Sequence, residues 1–251
     1  MRSRLTVFFL FLCAVNASAQ AGPDKLQTNE DQLRQILSTL NDIKQLLASA
    51  GRPTQPPGPP TALSTQDENF RGDSKAEVAI VEYADFECPY CGQYEHDIYP
   101  QISKDYIQTG KVKYFYRDLP LAMHPHAMIA ARAARCAEDQ GKFWEMHDSL
   151  FAKQNTIREA DMPGRAQELG LDMAKFSECL SSDRYTDEIK QSEAEAQKIG
   201  IGGTPTFFIG NVGPSGYVTN LKMLIGTRPY DVFKSTIEDS LATSKTVAAT
   251  Q

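Results

Sequence analysis

Residues 78–83 read Val-Ala-Ile-Val-Glu-Tyr, and five positions later the chain reaches Cys88-Pro89-Tyr90-Cys91. An apolar run of this length predicts a short strand buried on both faces. Pro89 suits the first position of a helix, where a missing N–H costs nothing. Residues 89–107 then read as a helix, with Pro100 as its kink. Residues 112–117, Val-Lys-Tyr-Phe-Tyr-Arg, read as a second strand. A strand, a helix of this length and another strand form a βαβ unit. That unit demands a parallel pair and a right-handed crossover, and it fixes the Cys-x-x-Cys where a loop enters a helix.

This placement carries chemistry. Unpaired N–H groups and the dipole at a helix N-terminus stabilise negative charge, and a thiol attacks a disulfide only as thiolate. Cys88 is therefore the expected nucleophile, exposed and with a depressed pKa. Cys91, one turn in and more buried, would resolve the mixed disulfide. A plain disulfide or half of a zinc site are the competing readings. Zinc needs two further ligands at matching spacing, and Cys136 and Cys179 stand alone, so no metal is expected. Glu82 lies on the otherwise apolar strand. Either it reaches solvent at the strand end, or it is buried with a raised pKa and trades a proton with Cys91.

The N-terminus points to export. Arg2 and Arg4 precede an apolar run from Leu5 to Val15, and Ala17-Ser18-Ala19 supplies small residues. This is a signal-peptide pattern over residues 1–19, with Ala21 as second choice for cleavage, and the run is too short to span a bilayer. The chain is acidic, with formal charge −6, and cleavage removes two arginines. Nucleic acid is thereby disfavoured as a partner. Cys13 leaves with the signal, and the four remaining cysteines suggest two pairs in an exported protein. Cys136 and Cys179 are then a structural disulfide rather than two buried thiols.

Residues 20–50 have a separate pattern. Leu26, Leu33, Leu40 and Leu47 recur in heptads, with Ile36 and Ile43 between them and Leu37 and Leu46 widening the seam. This predicts an amphipathic helix, read as an oligomerisation stalk through residues 26–47 or as a helix lying on its own domain. Residues 51–66, with Pro53, Pro56, Pro57, Pro59 and Pro60, read as a semi-rigid linker. The main domain is expected over 67–243. Within it residues 122–200 are helical throughout, with helices at 126–139, 143–153, 160–169, 173–180 and 185–199. His124 and His126 flank Pro125 and read as a helix start. Strands at 206–209 and 222–225 and a helix at 230–241 close the domain, and residues 244–251 read as a disordered tail.

Cys88-Pro89-Tyr90-Cys91, Glu82 upstream and Gly203-Thr204-Pro205-Thr206 before a strand resemble the DsbA-like branch of the thioredoxin superfamily. Residues 118–121, 123–127 and 141–148 (Gly-Lys-Phe-Trp-Glu-Met-His-Asp) are similar to the same branch. The resemblance covers about residues 67–242. It implies an α/β thioredoxin-like fold with an inserted helical domain, a cis Pro205 beside the cysteines, and substrate binding by Pro89, Tyr90, Thr204 and Pro205. It also implies that Glu82 is the buried acid near the resolving cysteine. One departure matters: the most oxidising members carry His between the cysteines. Tyr90 brings no charge there, so Cys88 is expected to be less acidic than in those members.

The expected function is that of an exported, periplasmic or secreted, thiol-disulfide oxidoreductase, most simply a DsbA-like oxidase. An oligomeric isomerase or reductase keeps the chemistry and changes its direction. A non-catalytic oligomeric binding module, or one holding Cu(I), is the remaining class. No cofactor is implied. The expected partners are exported proteins with cysteines and a membrane redox partner that resets Cys88 and Cys91.

Overall fold

The computed structural model describes residues 23–49, 60–213 and 215–249. The signal sequence (1–19) and the spacer residues 51–59 lie outside the described residues. Two compact units, residues 1–55 and 56–251, are distinguished. The first is one helix, α1 (Pro23–Ser49). Its apolar seam lies open: Leu33, Ile36, Leu37, Leu40 and Ile43 are each about half exposed, between 46 and 58 %.

The second unit is built on a six-stranded sheet. In chain order its strands are β1 (Ala62–Ser64), β2 (Phe70–Arg71), β3 (Val78–Ala84), β4 (Val112–Asp118), β5 (Thr206–Val212) and β6 (Tyr217–Ile225). Their order across the sheet is β1-β6-β5-β3-β4-β2. β3 runs parallel to β4, with Glu82 opposite Tyr116, and antiparallel to β5, with Glu82 opposite Phe207. Every residue of β3 is buried, as its apolar run implies for a central strand covered on both faces. Strand alternation sends Val78 and Ile80 into one apolar cluster with Tyr94, Tyr114, Phe207 and Phe233. Ala79, Val81 and Tyr83 face a second cluster with Phe115, Leu119 and Phe208. The thioredoxin-like arrangement implied by the resemblance is therefore present.

Between β3 and β4 the chain forms α2 (Pro89–Asp97), α3 (Tyr99–Ile102) and a π-helical turn at Ser103–Ile107. The single kinked helix expected over 89–107 is instead broken at Ile98. Pro100 has no N–H to give to residue 96, and its ring would meet that residue's carbonyl. Between β4 and β5 lie α4 (Ala127–Glu138), α5 (Phe143–Ala152), α6 (Met162–Glu168), α7 (Met173–Ser181) and α8 (Thr186–Lys198). They enclose a third core of small and aromatic residues, including Ala130, Ala134, Phe143, Met146, Phe151 and Phe176. Cys136 on α4 and Cys179 on α7 are joined by a disulfide with Cα atoms 5.8 Å apart.

Three boundaries differ from the sequence expectation. β1 falls inside the residues read as linker (51–66) and pairs with β6, with Leu63 buried against the sheet. β6 begins at Tyr217 rather than at residue 222. The closing helix α9 (Tyr230–Ala249) runs well beyond residue 241, so the segment from 244 is helical through Ala249 rather than a disordered tail. Asn211 of β5 donates to the Ser240 carbonyl (2.8 Å) and the Ser244 hydroxyl (2.6 Å), which ties this extension to the sheet.

Candidate active site

The loop from β3 to α2 is set before the helix starts. The Cys88 N–H donates to the Asp85 carbonyl at 3.1 Å, and the Gly92 N–H returns to the Cys88 carbonyl at 3.1 Å. Cys88 is the extended residue ahead of α2, with Pro89 in the first turn. Its sulfur points at N–H groups that no helical carbonyl can satisfy. Both Cys88 and Cys91 are thiols in this structure.

Three other segments converge on them. The Cys88 Sγ lies 3.4 Å from the Thr204 carbonyl, and the Thr204–Pro205 peptide bond is cis. The Thr227 hydroxyl donates to the Tyr90 carbonyl at 2.6 Å. From the helical block, the Gln154 amide donates to the carbonyls of Phe86 and Cys88, each at 2.8 Å. Gly92 makes room for it, since a Cβ there would lie 2.1 Å from Gln154 Oε1. Cys88 was expected to be exposed. It is only 4 % exposed, because these segments close around it. Pro89 and Tyr90 beside it are open, Tyr90 at 64 %.

The electrostatics separate the two sulfurs. Cys88 is pulled down to about 5. The Cys91 thiol is the main donor to its thiolate, and partial burial works against the shift. The Thr204 side chain and the N–H groups of Cys91 and Tyr90 add to the effect. Cys91, fully buried, is pushed well above its usual value by desolvation, with the Cys88 contact and the charge of Glu82 acting in the same direction.

Glu82 is buried, not at a solvent-facing strand end. Desolvation raises it to about 8, the hydrogen bond from the Tyr114 hydroxyl pulls the other way, and the Cys88 charge raises it further. Its Oε1 is buried with no partner among the described residues. A neutral carboxyl group with a free oxygen can give or take one proton at Cys91.

The structure thus brings Glu82, Cys88, Cys91, Thr204 and Pro205 together. Cys136 and Cys179 sit apart, in the helical block. Among the described residues no group of three or more His, Cys, Asp and Glu is placed to hold a metal. Sequence reasoning missed four contributors. Tyr114 was read only as part of the strand 112–117. Gln154 lies in a turn with no motif. Asp85 lies ahead of the Cys-x-x-Cys and His124 was read only as part of a helix start, and only the fold pairs them, His124 Nδ1 lying 2.7 Å from Asp85 Oδ2.

Comparison with known proteins agrees with this geometry. The family model described as Thioredoxin matches residues 64–220. Disulfide bond formation protein D of Bacillus subtilis is 30 % identical over 186 residues, covering 71 % of this chain and 79 % of that one. The crystal structure of oxidised BdbD from Bacillus subtilis has a TM-score of 0.64 at 27 % identity, covering 74 % of this chain and 99 % of that chain. Wolbachia pipientis α-DsbA1 has a TM-score of 0.66 at 24 % identity, covering 74 % and 96 % of the two chains, and supports the fold. A protein named Na(+)/H(+) antiporter NhaA 3 from Salinispora tropica is 45 % identical over 143 residues, which are 57 % of this chain. The chain spans only 21 % of that relative's length, and no described helix is long and apolar enough to cross a membrane. With the family model matching more than half of its length and disulfide-forming proteins among its relatives, this chain belongs to the thioredoxin family, in its DsbA-like branch.

Proposed function

We propose that the protein is a thiol-disulfide oxidoreductase that oxidises cysteines of exported proteins through Cys88 and Cys91. The observation that carries this reading is the unequal pair of thiols, one acidic and one buried and basic, with Glu82 beneath them. A substrate thiolate attacks Cys88 in the Cys88–Cys91 disulfide, and the S–S bond breaks. Cys91 leaves and takes a proton from Glu82, which is neutral below about pH 8. A second substrate thiolate then attacks its partner sulfur in the mixed disulfide. The substrate leaves with a new disulfide, having lost two electrons, and Cys88 departs as a stable thiolate. Pro89, Tyr90, Thr204 and Pro205 border Cys88 and form the substrate surface, and the Cys136–Cys179 bridge braces the helical block.

The signal-like N-terminus and the disulfide-forming relatives support action in the periplasm or outside the cell. A membrane redox partner would reset Cys88 and Cys91 after each cycle. Oxidation of reduced ribonuclease by the mature protein tests the reading. Rapid recovery of activity that disappears in Cys88→Ala supports it, and equal recovery by both proteins sinks it.

The open seam of α1 favours a second reading, in which several copies associate through residues 26–47 and act as an isomerase or reductase. Light scattering on the full mature chain and on a form lacking residues 20–60 separates the two. A monomer in both cases removes the oligomeric reading.

A further inference from the structure

The segment 121–126 is fastened to the loop that presents Cys88. Asp85 is 1 % exposed. Its Oδ1 accepts the Glu87 N–H at 2.7 Å, and its Oδ2 accepts the Leu121 N–H at 2.8 Å and faces His124 Nδ1 at 2.7 Å. Glu87 accepts the His126 N–H and completes the docking. Asp85 also carries the carbonyl that receives the Cys88 N–H. The same aspartate therefore shapes the nucleophile's loop and orients an imidazole beside it. A buried carboxylate bonded to one ring nitrogen favours the doubly protonated ring.

We propose that His124, held by Asp85, is the cation that stabilises the Cys88 thiolate, supplying from a distant loop the charge that Tyr90 does not bring. The inference rests on the oxidoreductase reading and names a positioning residue of the same site. His124 is 18 % exposed at its side chain. The charged groups that face it are Asp85, Cys88 and Glu87. Partial burial works against them, but these three together raise its pKa. The sign follows from linkage. Support for the thiolate is complete while His124 is protonated and fades as pH rises through its raised pKa. When the second substrate thiolate breaks the mixed disulfide, the bond broken is substrate sulfur to Cys88 and the electron pair stays on Cys88. Release of that pair is the step the imidazolium favours.

Coupling between two charges is reciprocal, so two readings test it. Proton NMR of the His124 ring should show a higher pKa in the reduced protein, where Cys88 is a thiolate, than in the oxidised protein. Thiolate absorbance of the reduced protein should show the Cys88 pKa rising by about one unit in His124→Gln, about tenfold in proton affinity, with His124→Lys restoring much of the loss. A His124 pKa that is the same in both redox states overturns the inference, because a merely structural Asp85–His124 pair would behave in that way. Neither reading uses enzymatic turnover. Failure of the oxidoreductase reading would appear separately, as no ribonuclease oxidation by the wild-type protein.

Discussion

The two cysteine pairs of this molecule make a contrast in what surrounds a sulfur. Cys88 and Cys91 are three positions apart, at the end of a buried strand. Around them are a carboxyl, a hydroxyl, backbone N–H groups and a carbonyl that the fold has aimed at them. Cys136 and Cys179 are 43 positions apart on two helices; Cys136 shares the apolar cluster of the first pair, and Cys179 packs partly buried against it. In the first pair the surroundings favour a charge on one sulfur and oppose it on the other. In the second, what the bond closes is a long loop. The residue type is the same, and the hydrogen bonds aimed at one sulfur divide the chemistry from the scaffolding.

Substitutions can break this contrast, and the largest effect comes first. Cys88→Ala should reduce ribonuclease oxidation to the uncatalysed rate. Replacing both Cys136 and Cys179 by Ala should leave the rate within about twofold at a temperature where the protein is folded. If the second variant is also inactive, the division fails. The same double variant should lose about 4 kcal/mol of stability in urea denaturation, as expected for opening a loop of this length.

Glu82 sharpens the first half of the contrast. Its folded pKa, about 8, lies above the ordinary carboxyl value of 4.5, so the folded state holds its proton where the unfolded state has lost it. The resulting contribution to stability is whole below about pH 4.5 and is lost as pH rises towards 8. Glu82→Gln should remove this slope. The variant should gain roughly 4 kcal/mol over the wild type between pH 4.5 and 8.5 in denaturation experiments. It should also slow the release of Cys91, read in stopped-flow reduction of the disulfide.

Cys88 runs in the opposite direction. Its folded pKa is lowered from 9.0 to about 5, so its contribution is whole above pH 9 and vanishes as pH falls through 5. The reduced protein should exceed its Cys88→Ser variant by about 2 kcal/mol at pH 7, and by nothing at pH 4.5. A difference that does not change with pH would show that Cys88 is not held as a thiolate. The smallest expected effect belongs to Gln154→Ala. It removes one hydrogen bond from each of two carbonyls of the active loop, and should lower the exchange rate severalfold at a cost of about 1 kcal/mol.

Much of this site was legible because its signals are local. The strand, the Cys-x-x-Cys and the helix start at Pro89 lie within a few residues of one another, and an apolar run is read directly. Glu82 stood out because a carboxylate in such a run is costly to bury. The illegible parts depend on register or on contacts across the fold. β1 and β2 have three and two residues, too few to show a period. β6 has an irregular burial pattern along its nine residues, so only its apolar end was visible. Nothing in the sequence indicated that Tyr114 would lie against Glu82, since the parallel register decides it. Gln154 and His124 could be ranked only once the helical block was seen to fold back onto residues 85–88.

The Gln154 contact has a practical consequence for anyone following the protein on heating. The turn that carries it belongs to the block closed by Cys136–Cys179, while its amide holds the carbonyls of Phe86 and Cys88. Loosening of the block therefore reaches the nucleophile without any change in the sheet. The alkylation rate of Cys88 becomes a built-in reporter for the condition of a distant bundle of helices, and should change before the sheet's own spectroscopic signal does.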